Sequence, residues 1–197
     1  MNGATIVLVT GGGRSGKSSY AQRLAEALPG PRVYIATATP FDTELRERVA
    51  KHQEDRLAGG WAATVEEPVA LARAIREAPA GATVLVDCLT MWMGNLMWVA
   101  EPEVLTESQV ASLCQEVAAA ARERGGTLVF VTNEVGLGII PDNPASRLYR
   151  DLLGRCNQVM AGAADTVVLM VSGLPLVLKG RDPFEGAGPA SDGGASL

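Results

Sequence analysis

Apolar positions along the chain follow two alternating rhythms. Short unbroken runs at Thr5–Thr10 (TIVLVT), Arg32–Thr37 (RVYIAT), Thr83–Asp87 (TVLVD), Thr127–Thr132 (TLVFVT) and Thr166–Val171 are rich in valine, leucine and isoleucine. Such runs predict strands buried on both faces. Helical spacing fills the gaps between them. Ser18–Leu28 sets Tyr20, Leu24 and Leu28 on one face, and the highly charged stretch Phe41–Arg56 carries Leu45 and Val49 four apart. Pro68–Ala78 reads as a short helix opened by its proline, with Leu71, Ala72 and Ile75 inward. Thr106 with Gln109 has the capping-box spacing and starts a helix whose inner face is Val110, Leu113, Cys114, Val117 and Ala121. Ser146–Ala161 is the last helix, and Pro175–Lys179 a short strand set antiparallel to the one before it. The alternation predicts an α/β fold, a mostly parallel sheet covered by helices on both faces. No repeat or linker divides it. Residues 1–179 are expected to form one domain and 180–197, rich in Gly, Ala, Pro and Ser, a disordered tail.

Composition removes several function classes. Seventeen basic residues against 22 acidic ones, a net charge of −5, argue against nucleic acid as a partner. No run approaches the ~20 apolar residues of a membrane span, so no membrane insertion is expected. The start, MNGATIVLVTGGG, lacks the basic region and cleavage site of a signal peptide. Cys88, Cys114 and Cys156 are far apart and suit a reducing, cytoplasmic setting. A single histidine, His52, excludes a multi-histidine metal site within one chain.

One segment carries explicit chemistry. Gly11-Gly12-Gly13-Arg14-Ser15-Gly16-Lys17-Ser18 fits G-x-x-x-x-G-K-[ST], after a strand and before a helix. Glycines let backbone N–H groups converge on phosphate oxygens, and the helix N-terminus adds partial positive charge. Lys17 is expected to reach the β- and γ-phosphates and Ser18, beside Ser19, to ligate Mg²⁺. Asp87, ending its strand, is expected on a strand next to the loop as the Mg²⁺-side partner or as a helix cap. Ala36, Thr37 and Ala38 end another strand at the edge where open α/β sheets bind ligands. Asn133 and Glu134 end a third at the same edge. The fold expected is therefore P-loop NTPase-like.

The reaction is narrowed by longer segments. YIATA, RVAKHQEDR around His52, VEEP at Val65–Pro68, VDCLTMWMGNL at Val86–Leu96, VTNEVGLGIIPDNPASRLYRDLLGRCNQ at Val131–Gln158 and the closing VSGLPLVLK accompany the loop. With these the chain resembles the bifunctional adenosylcobinamide kinase / adenosylcobinamide-phosphate guanylyltransferase family of cobalamin biosynthesis. The most selective stretch is VTNEVG followed by R-x-x-R-D-x-x-G-R-x-N-Q. The resemblance implies phosphorylation of adenosylcobinamide with ATP or GTP. GMP then passes from GTP to that phosphate through a guanylyl-histidine, which falls on His52. It also implies nucleotide contacts from Glu66, Asp87 and Arg56, and a homotrimer. From the residues alone His52 lies three after Val49 and seven after Leu45, so it also fits the buried face of an ordinary helix. Arg46, Arg48, Lys51 and Arg56 read either as a charge-neutralising group for the triphosphate or as a solvated helix face.

Other readings stay open. Thr37 could touch guanosine or phosphate, and Glu66 could accept from guanine N–H groups or ribose hydroxyls. Asn133 and Glu134 could bind a corrinoid side chain or the metal. The run Met91, Trp92, Met93, Leu96, Met97 and Trp98 fits a corrin surface, a subunit interface or core packing. The competing functions are a plain P-loop small-molecule kinase with an inert His52 and a non-catalytic regulator, the latter lacking an N-K-x-D motif.

Overall fold

The computed structural model describes residues 4–38, 60–101 and 103–184. Seven strands form one sheet: β1 (Thr5–Gly11), β2 (Arg32–Ala36), β3 (Trp61–Glu66), β4 (Thr83–Asp87), β5 (Thr127–Val131), β6 (Thr166–Val171) and β7 (Leu174–Lys179). Their order is β3-β2-β4-β5-β1-β6-β7. β1 lies in register between β5 and β6, with Val7 opposite Val129 on one side and Thr166 on the other. Every pairing is parallel except β6 with β7. Ile6 to Thr10 are all buried, as a strand covered on both faces requires.

Among the described residues, one helix covers one face and four cover the other. α1 (Lys17–Ala27) sets Tyr20, Ala21, Leu24 and Ala25 against Val7, Val9, Val129 and Val131. α2 (Leu71–Glu77), α3 (Leu89–Ala100), α4 (Glu107–Arg124) and α5 (Pro144–Ala163) bury their apolar sides against Ile6, Leu8, Val84, Val86, Leu128 and Phe130. This is the expected two-sided α/β architecture.

Several local expectations shift for identifiable reasons. β3 (WAATVE) falls outside the expected strands: it is an exposed edge strand, whose residues need not be apolar. α3 contains the apolar run at 91–98, which helical spacing does not mark out. It is buried among the sheet and other helices, so helical alternation is blurred; Trp92 and Met93 are fully buried, whereas Trp98 is 77% exposed. The core reading therefore holds for Trp92 and Met93 but not for Trp98. Pro68 does not open α2. Instead Glu67 accepts from the N–H groups of Val69 (3.0 Å) and Ala70 (2.8 Å) just ahead of the helix. Burial opposes ionisation of Glu67, but those two N–H groups and Arg73 hold its carboxyl below the usual range. Thr106 caps α4 with Gln109 as the spacing predicts. α5 begins at Pro144 rather than Ser146, capped by Asn143, an Asn-Pro start signal. The described chain also continues past Lys179, and Phe184 packs edge-on against Tyr20 with ring centroids 5.2 Å apart. The rest of the expected tail lies outside the described residues.

The amino-terminal edge of the sheet is tied by charge. Arg122 of α4 donates to both carboxylate oxygens of Asp165, at 2.8 and 2.9 Å, and to the Ala4 and Ala163 carbonyls. Asp165 also accepts from the Ile6 N–H at 2.8 Å, joining the starts of β1 and β6. The Arg122 hydrogen bond holds the Asp165 carboxyl below its usual range. A carboxyl whose folded-state pKa is depressed stabilises the fold above its unfolded pKa and loses that contribution as pH falls through the folded one. Wild type is therefore expected to melt above Asp165→Asn at neutral pH. The gap in Tm should close as thermal scans are taken down through the carboxylate range.

Candidate active site at the carboxyl edge of the sheet

The loop between β1 and α1 is shaped by its glycines. Gly16 has φ +89°, a left-handed conformation that turns the chain into α1, and no side chain caps the helix or places an acid in its first turn. The first N–H groups of α1 thus face the loop with their partial positive charge. A Cβ at Gly11 would stand 2.6 Å from the Met170 carbonyl oxygen and 2.7 Å from Ser15 Oγ. Gly11→Ala must therefore move the loop. It is expected to lower stability by about 1–3 kcal/mol and to weaken nucleotide affinity, read by thermal melts with and without nucleotide. Lys17 Nζ folds back to the Gly12 carbonyl at 3.0 Å. Ser15 Oγ is buried with no hydrogen-bond partner among the described residues, a donor of the kind a phosphate oxygen would satisfy. The Gly173 N–H, in the β6–β7 turn, supports the loop through the Ser15 carbonyl at 3.1 Å.

The strands beside the loop bring up a polar cluster. Glu134, just past β5, donates its N–H to the Gly11 carbonyl at 3.1 Å. Its Oε1 accepts from Thr10 Oγ1 at 2.9 Å and from Asn157 Nδ2 at 3.2 Å. Asn157, on α5, in turn accepts from Thr132 Oγ1 at 2.7 Å and donates to the Asn133 carbonyl at 2.9 Å. Spacing alone assigns Asn157 no individual role; its signal is its place in the R-x-x-R-D-x-x-G-R-x-N-Q stretch. Asn133 Oδ1 is buried and unpartnered among the described residues.

A second group lies further along the edge. β4 is not next to β1, since β5 stands between them. Asp87 is consequently two strand spacings from the loop strand, roughly 10 Å, a correction to its expected position. Its Oδ2 accepts from the Tyr34 hydroxyl at 3.1 Å. Thr37 is fully buried. Its hydroxyl donates to the Cys88 carbonyl at 2.6 Å and accepts from the Cys88 N–H at 2.8 Å. The Thr37 side chain, expected to face nucleotide, is instead committed to a tie between the end of β2 and Cys88, the residue ahead of α3. Asn95 fixes this turn by donating to the Thr37 carbonyl at 2.7 Å and the Pro68 carbonyl at 3.0 Å. Burial pushes the Cys88 thiol up to about 11, so it stays protonated near neutral pH. Glu66 is exposed at the end of β3, in register with Ala36. Four strand spacings, roughly 19 Å, separate it from Gly11.

The donor set suits a hard ion. Ser18 and Asp87 offer oxygen donors at the same edge, and among the described residues no group of three or more His, Cys, Asp or Glu could hold a metal. Oxygen donors of this kind suit Mg²⁺, which keeps waters and takes substrate phosphates as ligands. His52, Arg46, Arg48, Lys51 and Arg56 lie outside the described residues. Among the described residues no helix is long and apolar enough to cross a membrane.

A strand, a glycine turn, an uncapped helix and a Lys-Ser pair on a mostly parallel sheet define a protein of the P-loop NTPase-like α/β class. Residues 7–178 match the family model described as cobinamide kinase / cobinamide phosphate guanyltransferase, and the chain belongs to that family. It is 42% identical over 175 residues to a bifunctional adenosylcobalamin biosynthesis protein, CobP, of Pseudomonas aeruginosa; the match covers 88% of this chain and 97% of that one. It is 36% identical over 182 residues to the Salmonella typhimurium protein CobU, again named bifunctional, covering 88% and 99%. The Escherichia coli CobU is 37% identical over 186 residues, with the same coverage.

Proposed function

We propose that this chain phosphorylates adenosylcobinamide with ATP or GTP and then guanylylates the product from GTP, releasing pyrophosphate. The observation that carries the reading is the glycine turn from Gly11 to Ser18 ahead of the uncapped α1, in a chain of the kinase and guanyltransferase family. Loop amides, the first N–H groups of α1 and Lys17 gather positive charge locally in a chain whose net charge is −5. Ser18 would hold Mg²⁺, with Asp87 on its outer side; when bound, the ion neutralises charge developing on the phosphate oxygens. From the loop the nucleotide runs along the sheet edge past the backbone of 36–38, with Glu66 accepting from the guanosine end.

His52 is the carrier of GMP in the second reaction. Neutral imidazole is nucleophilic toward phosphorus, and its unperturbed pKa of ~6.5 leaves it mostly neutral at cytoplasmic pH. Its Nε2 or Nδ1 attacks the α-phosphorus, pyrophosphate leaves, and the acceptor phosphate then displaces the imidazole. Arg46, Arg48, Lys51 and Arg56 neutralise triphosphate charge around it. One catalytic domain over residues 1–179 is proposed, acting in the cytoplasm. A homotrimer is proposed as the working assembly, supported by exposed apolar side chains such as Trp98, Val99 and Val104.

The test is stepwise. With adenosylcobinamide and ATP alone, product formation should stop at the phosphate; adding GTP should convert it to adenosylcobinamide-GDP with one pyrophosphate released per turnover. Failure to phosphorylate with either nucleotide would overturn the kinase assignment.

A further inference from the structure

The two transfers differ in one chemical respect. The first acceptor is an alcohol, which must lose its proton as the new O–P bond forms. The second acceptor is a phosphate monoester, already anionic at neutral pH. A general base at this edge would therefore serve one reaction and not the other.

Of the carboxylates at the described edge, Asp87 and Glu134 lie nearest the loop, while Glu66 is four strand spacings away. Asp87 stands beyond an intervening strand and takes the Tyr34 hydroxyl at 3.1 Å. Glu134 ends β5, the strand directly beside β1, and its backbone is pinned to the Gly11 carbonyl at 3.1 Å. Both of its side-chain hydrogen bonds fall on one oxygen, Oε1, from Thr10 and Asn157. Oε2 has no protein donor among the described residues. The donors are neutral, and no ion pair among the described residues engages Glu134. Among the described residues, the carboxylate is oriented by neutral donors alone. Its anchor, Asn157, is only 7% exposed and fixed by Thr132 and Asn133, so Oε1 has little freedom to turn.

We propose that Glu134 is the general base of the kinase step. This rests on the reading that the Gly11–Ser18 loop holds the triphosphate. As the substrate oxygen attacks the γ-phosphorus, the new O–P bond forms and the bond to the β,γ-bridging oxygen breaks. That electron pair leaves with the nucleoside diphosphate, and the hydroxyl proton ends on Glu134 Oε2. Thr10 and Asn157 are positioning residues that keep Oε2 turned to the acceptor.

Glu134→Gln separates the reactions, because glutamine retains an oxygen to accept from Thr10 and Asn157. Phosphorylation of adenosylcobinamide should fall by about 10²–10⁴-fold. Guanylylation of supplied adenosylcobinamide phosphate should fall far less, and an unchanged circular-dichroism spectrum and melting temperature should report that the variant is folded. Glu134→Asp, a carboxylate drawn back by one methylene, should recover part of the kinase rate lost in the glutamine variant. Wild-type kinase turnover in Glu134→Gln overturns the proposal. So does an equal loss of both activities, or a loss restored by added Mg²⁺, which would make Glu134 a structural or metal-holding residue. Equal impairment of the Asp and Gln variants overturns it as well. Lys17→Ala, assayed in parallel, reports on the loop separately: if it leaves both reactions intact, the loop reading fails whatever Glu134 does.

Discussion

Lys17→Ala is expected to lower both transfers together, each by at least about 10²–10³-fold. Both reactions start from a triphosphate, and Lys17 is the first residue of α1, its ammonium folded over the loop to the Gly12 carbonyl at 3.0 Å. Alanine keeps the helix and the glycine turn but removes the cation facing charge that develops on the leaving phosphates. The check is kcat/KM measured separately with adenosylcobinamide and with its phosphate. A variant that keeps either rate would show that the two reactions do not share this loop.

His52→Ala is expected to split them. Guanylyl transfer should drop on the order of 10⁴-fold or more, the loss typical of a deleted nucleophile, while phosphorylation of adenosylcobinamide continues. The split follows from the chemistry. In the proposed mechanism only the second transfer passes through a covalent carrier, whereas the first moves the γ-phosphate directly from nucleotide to alcohol. Steady-state rates of both products from one preparation measure it, and the surviving kinase rate shows that the variant is folded. Loss of both rates in a folded variant would place His52 in general nucleotide binding instead.

Much of the fold is legible in the sequence. Buried parallel strands declare themselves as apolar runs, and five of the six parallel strands were found that way; β3, exposed at the sheet edge, carries no such run. The phosphate loop is local, eight consecutive residues between a strand and a helix, so its chemistry is written in one place. The strand order is not local. Nothing in TVLVD or TLVFVT states that β5 inserts between β4 and β1, and that insertion moves Asp87 away from the loop and brings Glu134 to it. Hydrogen bonds across the edge are equally invisible to spacing. Thr37 looks available as a ligand contact until its hydroxyl is found committed to Cys88. Asn157 looks like one polar residue on a helix until it is seen holding the carboxylate beside the loop. The Trp- and Met-rich run divides for a similar reason. Trp92 donates to the Val69 carbonyl at 2.8 Å inside the core, while Trp98, six residues on, lies over a groove of about 820 Å³ with Met97, Val104 and Leu148.

The covalent carrier is the central claim, and GTP labelled at the α-phosphate tests it most directly. Incubation with the wild-type protein should leave an acid-labile, alkali-stable label on the chain, and His52→Ala should carry none. No label on the wild type, or a label that survives the substitution, would contradict it.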